Sequence, residues 1–249
     1  MQYLSVEEAR HEPGLKLVLT AGVPGPWSES AKALFGHHNI DYLPVRQFGG
    51  QENPELLAWT RHRNAPIALY EQEAPRVRWL EILDLAERLG SSDSLYPTQR
   101  DERIYMVGLI NEIAGENGFG WNARLLMLDA WHSELGEKAF ANPMFKDYQY
   151  DPERSRQAIN DTQTFLTYLA NRIRENGDYL VEDRLSAADI YWAYFSNLIS
   201  PQPEAVNPMP DSLRQSYELP GKVLGGIDDV LIAHRDRIFE RHLKLPLTF

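Results

Sequence analysis

The sequence predicts a small mixed α/β domain followed by an all-helical domain. First, its 249 residues exceed the roughly 100–200 residues of a typical single domain. Second, short aliphatic runs alternate with helical patterns only as far as Gly90. Third, beyond Pro97 every convincing apolar pattern has helical spacing. We therefore predict an α/β domain at 1–90, a Gly-, Ser- and Pro-containing linker at 91–97, and a helical domain at 98–249.

Three short aliphatic runs predict strands in the first domain, at 15–20, 41–46 and 66–70. Helical patterns separate them and follow them. One helix starts at Pro26, because proline at the first helical position loses no hydrogen bond. A short helix follows Asn53, which we expect to act as its N-cap, and a third runs from Trp79 to a stop at Gly90. The predicted order is β-α-β-α-β, an optional further strand, and a final helix.

Two long helices stand out in the second domain. Apolar residues repeat at intervals of three and four from Ile159 to Ile173, and again from Val223 to Ile238. Between them, residues 200–220 contain five of the 16 prolines, so we predict a long irregular loop there. Three glycines within 115–120 predict a bend or close approach in an otherwise helical stretch.

Composition excludes several classes of function. The chain has no cysteine, so disulfides, thiolate metal sites and a cysteine nucleophile are ruled out. The net charge of -11, with no basic patch, argues against nucleic acid or an anionic membrane as partner. The seven histidines show no metal-ligand spacing, and no phosphate loop is present. No leader or bilayer-spanning run is visible, so we expect a cytoplasmic protein.

Two motifs resemble those of the soluble glutathione transferases. Residues 53–59 and 64–69 are similar to the stretch of the thioredoxin-like domain that holds a cis-proline, and residues 179–190 are similar to a motif of the helical domain. Ser186 and Asp189 in the second motif also have the spacing of a capping box. We therefore expect them to start a helix and to take no part in catalysis. The resemblance implies a divergent, bacterial-like member: a thioredoxin-like domain followed by a helical bundle, assembled as a homodimer.

The same resemblance implies where glutathione would bind. Family members activate its thiol with a Tyr, Ser or Cys after the first strand, but Gly25 stands at that position here. Ser28 is the nearest substitute hydroxyl, and the alternative is that it only caps the helix. Even without a side chain, helix-start N–H groups favour a thiolate. The implied glutathione-binding residues are Gly25, Pro26, Trp27, Ala65, Pro66, Arg78 and Trp79, with Ala65-Pro66 expected to be cis.

Arg78-Trp79 departs from the family pattern, in which a Glu or Gln and a Ser bind the γ-glutamyl group. Arginine repels an ammonium but pairs with a carboxylate, so either glutathione binds differently or the ligand is another anionic thiol. The alternative is a solvated Arg78 beside a core Trp79. In the family, the helix after the linker lines the second-substrate pocket. This makes Tyr105, Glu112, Glu116 and Trp121 candidates for that pocket, unless the two glutamates only form a solvated face.

These observations leave three functions open. The first is a transferase that binds glutathione or a related thiol between the domains and conjugates it to an apolar electrophile, as in detoxification. The second is a non-catalytic binding module, because the usual catalytic side chain is absent. The third is a related thiol-dependent isomerase, lyase or dehalogenase. Glutathione would be a co-substrate in the first and third cases, and no metal is implied.

Overall fold

A computed structural model describes residues 1–249 and divides the chain into two compact units. The first comprises Met1–Ser94 together with Leu247–Phe249, and the second comprises Leu95–Pro246. The first unit thus ends within the segment that the sequence predicts as a linker. It also includes the last three residues, which no sequence pattern assigned to it.

The first unit has a three-stranded sheet with strand order β2-β1-β3. Strand β1 is parallel to β2 and antiparallel to β3, with Val18 opposite both Val45 and Ile67. Its strands are β1 (Leu15–Thr20), β2 (Leu43–Gln47) and β3 (Ile67–Tyr70), and its helices are α1 (Val6–Arg10), α2 (Pro26–His37), α3 (Pro54–Thr60) and α4 (Trp79–Leu89). The optional further strand is reduced to one bridge between Ala68 and Arg76.

Both faces of this sheet are covered, as expected for a central strand without alternating polarity. Val18, Val45 and Ile67 form one core cluster with Val6 and Leu56 of the flanking helices. Leu17 and Leu19 alternate with Val18 along β1, so they point to the opposite face, and both are buried. This two-sided packing fixes the ends of the strands and the starts of α2 and α4.

The second unit is entirely helical. Its α-helices are α5 (Arg100–Ala114), α6 (Phe119–Leu135), α7 (Met144–Asp147), α8 (Pro152–Asn176), α9 (Ala187–Phe195), α10 (Asp211–Leu224) and α11 (Asp229–His242), with short 3-10 turns at Gly136–Ala141 and Ser196–Leu198. Helix α9 is buried throughout, and α5 and α11 both contact it. No helix of the chain combines the length and apolar character that crossing a membrane requires.

The structure corrects the prediction of an irregular loop at 200–220. Residues from Asp211 to Leu224 form α10, although Pro220 lies inside the helix and removes one backbone donor. The helix persists because Tyr217, Pro220 and Leu224 are buried on one face. At Gly221 a Cβ would lie 2.0 Å from the carbonyl oxygen of Ile199, so glycine allows the backbones to touch. Tertiary packing therefore outweighs the low helix propensity of this sequence.

The apolar repeat from Val223 to Ile238 belongs to two helices, not one. Val223 lies near the end of α10, which stops at Gly225 with φ 76°. Helix α11 then starts after Asp228, whose side chain accepts a hydrogen bond from the Val230 N–H. Glycine favours the left-handed conformation that ends a helix, and aspartate favours the start of the next. Because the apolar spacing continues across Gly225 and Asp228, it predicted one helix where these two residues end one helix and start the next.

Candidate functional site

The start of α2 is uncapped by any side chain. Gly25 is its N-cap residue, in an extended conformation, and Pro26 occupies the first helical position. Trp27 follows and is half-buried. A Cβ added at Gly25 would meet no atom within 4 Å, and its φ of -63° suits any residue. The helix start at Gly25 therefore has room for a side chain but does not contain one.

Ser28 lies at the third position of α2 and is only 3% exposed. It does not cap the helix, since Gly25 holds the N-cap position, and its hydroxyl makes no hydrogen bond with the rest of the chain. The capping alternative for Ser28 is therefore wrong. The Ser28 hydroxyl, in the first turn of α2, is therefore buried and forms no hydrogen bond with the chain.

A buried acidic group in α2 was missed by the sequence reasoning. Glu29 is 2% exposed, and the Lys32 ammonium donates to both of its carboxylate oxygens at 2.8 Å. Lys32 also donates to the Thr248 carbonyl at 2.7 Å, which ties the C-terminus to the first unit. Burial raises the pKa of Glu29. The spacing of Glu29 and Lys32, three residues apart in a predicted helix, was the available signal.

Two tyrosines complete this cluster. Burial and the nearby Glu29 carboxylate raise the pKa of Tyr3 to about 12, and the same causes raise the pKa of Tyr42 to about 12. Both hydroxyls therefore stay protonated at neutral pH and cannot act there as general bases.

The Ala65-Pro66 peptide bond is cis, which confirms the expectation for this position. Asn53 is the N-cap residue of α3, as predicted, but its conformation and side-chain contacts are not those of a usual N-cap. Its φ is 43°, whereas an N-cap residue is extended, and its side chain does not bond to the start of α3. Instead its amide donates to the carbonyls of Phe48 and Arg63 at 2.8 and 3.2 Å and accepts from the Phe48 N–H. Asn53 thus ties the loop that leads to Ala65 onto the end of β2.

Arg78 and Trp79 lie at the start of α4. Arg78 is the N-cap residue, and its exposed side chain forms no ion pair. The Glu81 carboxylate accepts hydrogen bonds from the Val77 and Arg78 N–H groups at 3.0 and 3.1 Å. It therefore takes two backbone donors that a ligand carboxylate could otherwise use. Trp79 is half-buried, so describing it as core is wrong, because the buried face of α4 consists of Ile82, Leu83, Leu85 and Ala86.

The glycine-rich stretch separates α5 from α6, as predicted. Gly115 ends α5 and Gly118 precedes α6, and a Cβ at either would lie 2.6 Å from a backbone oxygen of the α5 end. Asn117 between them has φ 64°. Glu116 thus lies in the turn, so the expectation that Glu112 and Glu116 share a helix face is wrong. The glycines interrupt the periodicity on which it rested.

The four second-substrate candidates are not brought together. Glu112 is exposed on α5, and Glu116 accepts a hydrogen bond from the Gln149 side chain at 3.2 Å. Trp121 packs against the ring of Tyr148, with the centroids 4.8 Å apart. The Tyr105 hydroxyl accepts from Arg172 Nε at 2.9 Å. Of the four, Glu112 borders the cavity where α5, α6 and α8 meet.

That cavity measures about 450 Å³ and lies where α5, α6 and α8 meet. Its lining residues are Glu112, Asn117, Gly118, Phe119, Asn122, Asp161, Thr164, Phe165 and Tyr168. Sequence reasoning identified only Glu112 among them, because the rest are distant along the chain or typical of helix cores. No group of three or more His, Asp or Glu side chains is placed to hold a metal ion.

The capping box at the start of α9 confirms the prediction for Ser186 and Asp189. Asp189 accepts from the Ser186 N–H at 2.9 Å and from the Ser186 hydroxyl at 2.7 Å. Its other oxygen accepts from the Leu180 N–H at 2.8 Å and lies 3.1 Å from His234 Nε2. Asp189 and His234 are both fully buried. These contacts join α9, α11 and the preceding loop, and they do no chemistry.

Known proteins share the fold of this chain but not its sequence. The sequence matches no protein-family model, and no curated protein sequence is similar to it. Solved structures nevertheless share its fold. A glutathione S-transferase domain-containing protein of Marinobacter aquaeolei is 16% identical, with a TM-score of 0.65 over 92% of this chain and 100% of that one. A β-etherase of Sphingobium is 17% identical, with a TM-score of 0.65 over 92% of this chain and 96% of the other.

A glutathione transferase family member from Pseudomonas fluorescens, with two glutathione molecules bound, is 14% identical. The match has a TM-score of 0.64 and covers 97% of this chain and 98% of that one. The chain thus has the fold of the glutathione transferases: a thioredoxin-like unit with a three-stranded sheet, and a helical unit. At these identities the comparison establishes the fold, and function has to be argued from the site.

Proposed function

We propose that this protein is a glutathione-transferase-like protein that binds glutathione, or a related anionic thiol, at the uncapped start of α2 beside Ala65-Pro66. The observation that carries this proposal is the start of α2, where the N-cap residue is a glycine with open space around it and no side chain caps the helix. Similar structures with glutathione bound support the choice of ligand.

The chemistry expected of this site is stabilisation of a thiolate by backbone groups. Lowering a thiol pKa by one to two units requires about 1.4–2.7 kcal/mol, which helix-start N–H groups and the helix dipole can supply. Lys32 pairs with Glu29, so the buried carboxylate does not cancel this positive field. The activated thiolate would then attack an apolar electrophile, as in detoxification. In this proposal the Ser28 hydroxyl donates a hydrogen bond to the sulfur. The protein would act as a homodimer in the cytoplasm.

The absent catalytic side chain also supports a second function. With Gly25 at the catalytic position and Glu81 occupying backbone donors at α4, the protein would bind a ligand without turning it over. A related thiol-dependent isomerase, lyase or dehalogenase is the third candidate, since such reactions need the same thiolate.

Calorimetric titration with glutathione tests binding, and conjugation to a chloronitrobenzene tests catalysis. Gly25→Ser supplies the missing hydroxyl where a Cβ meets nothing, with Gly25→Ala as the matched control. A transferase site predicts that Gly25→Ser raises turnover at least about tenfold over Gly25→Ala, the scale of one activating hydrogen bond. Binding without turnover in all three proteins would favour the binding module. No binding of glutathione would contradict the proposal.

A further inference from the structure

We propose that the cavity between α5, α6 and α8 binds an organic cation, an amine or quaternary ammonium with an apolar or aromatic body. This site lies wholly within the second unit and does not depend on the proposed glutathione site. A volume of about 450 Å³ is in the range of pockets that hold small organic molecules.

The charge of the cavity points to a cation. Glu112 of α5 and Asp161 of α8 both border it, and neither carboxylate forms an ion pair or hydrogen bond with the chain. No lysine, arginine or histidine is among the lining residues. Two carboxylates on different helices, facing one space without a counter-ion, attract a positive charge that enters it.

Two arginines near the cavity form hydrogen bonds with residues other than Glu112 and Asp161. Arg154 donates to the side-chain oxygen of Asn117 at the edge of the cavity, and Arg172 donates to Tyr105 beyond Tyr168. Arg172 also pairs with Glu175 at 3.3 Å. Neither arginine forms an ion pair with Glu112 or Asp161.

The apolar part of the lining is aromatic. Phe119 and Phe165 pack with their ring centroids 5.8 Å apart, and Tyr168 is 47% exposed beside them. The Tyr168 hydroxyl lies 3.3 Å from that of Tyr105, which holds the ring in place. Aromatic faces attract cations, most strongly those with a spread charge such as quaternary ammonium groups. The aromatic lining therefore favours an organic cation over a small hydrated metal ion.

A buried amide adds a directional contact. Asn122 is 7% exposed and borders the cavity, and its amide donates to the Asn117 carbonyl at 3.3 Å. Its side-chain oxygen accepts no hydrogen bond from the chain. The rest of the side chain is buried, so this acceptor is held at the cavity and can receive a ligand N–H there. This favours an amine that carries at least one N–H over one that carries none.

Calorimetry with benzylamine and benzyltrimethylammonium tests the site, with neopentylbenzene as the neutral isostere of the latter and benzenesulfonate as an anion. We expect saturable binding of both cations with Kd of roughly 0.1–1 mM, a reasonable value for such small ligands. Benzylamine should lose more affinity than benzyltrimethylammonium on Asn122→Leu. Equal binding of the neutral isostere, or no saturation by either cation, would overturn the proposal.

Variants locate the site. Glu112→Gln and Asp161→Asn should each raise the Kd of benzyltrimethylammonium about threefold to fivefold, and the double variant should raise it about tenfold or more. Asp101→Asn on α5 and Glu153→Gln on α8 remove the same charges outside the cavity and should change Kd less than about twofold. Equal effects of the cavity and control variants would show only a general charge effect and would refute the site. Circular dichroism confirms that each variant is folded.

Discussion

The Asp189→Ala variant tests the account of the second unit most directly. Asp189 is fully buried and is the acceptor or ion-pair partner of four groups: the Leu180 N–H, the Ser186 N–H, the Ser186 hydroxyl and His234 Nε2. Alanine leaves all of them without this partner. Because the contacts join three segments of the unit, their loss should lower the stability of the whole helical core.

The magnitude follows from these contacts. A hydrogen bond to a charged group contributes about 1.5–3 kcal/mol, so four would give a limit of roughly 6–12 kcal/mol. The Ser186 hydroxyl can rotate to another acceptor, and water can reach part of the space left by the carboxylate. We therefore expect a loss of about 3–5 kcal/mol in the free energy of unfolding, as for other buried pairs that lose one partner. This corresponds to a drop of about 6–20 °C in Tm.

Urea unfolding followed by circular dichroism and tryptophan fluorescence measures this loss. Ser186→Ala removes only the hydroxyl contact and should cost about 1 kcal/mol. Asp183→Ala is the control, since the Asp183 side chain is exposed and forms no hydrogen bond or ion pair with the chain. It should stay within about 0.5 kcal/mol of the native protein. A loss below about 1 kcal/mol in Asp189→Ala would refute the reasoning.

Three further predictions concern the first unit. If Ser28 polarises the bound thiol, Ser28→Ala should lower turnover by about 10- to 1000-fold, and unchanged turnover would assign that role to the backbone. Glutathione should bind with a Kd in the millimolar range. In calorimetry, Arg78→Gln should lower this Kd severalfold, whereas Arg61→Gln, an equal charge change elsewhere, should not. Weaker binding by Arg78→Gln would instead show that Arg78 binds a carboxylate of glutathione. Burial raises the pKa of Glu29, so the folded state binds the Glu29 proton more tightly than the unfolded state does. The protonated carboxyl therefore stabilises the folded state at low pH, and this stabilisation is lost as pH rises through the folded pKa. Relative to the native protein, Glu29→Gln should therefore gain unfolding free energy as pH rises above the ordinary glutamate pKa of about 4.3, and a relative loss on raising the pH would contradict this sign.

Local signals were sufficient for several elements of both units. Pro26 at the start of α2, the run of β1 and the Ser186 and Asp189 pair each act over a few residues, so their outcome is readable from the chain. Gly25 was assigned to the position of the catalytic side chain only through the resemblance to the glutathione transferases. That its Cβ would meet no atom is a property of the surrounding structure, which no motif contains.

The sequence by itself determined the division into a mixed unit and a helical unit, because hydrophobic periodicity and turn residues are local properties. Only the tertiary structure decided that α10 continues through Pro220, since burial of Tyr217 and contact of Gly221 with Ile199 offset the lost hydrogen bond. Only it showed that Glu112 and Asp161 face one cavity and that Glu29 is buried. Burial and charge pairing arise between residues far apart in sequence, so residue type and spacing do not specify them.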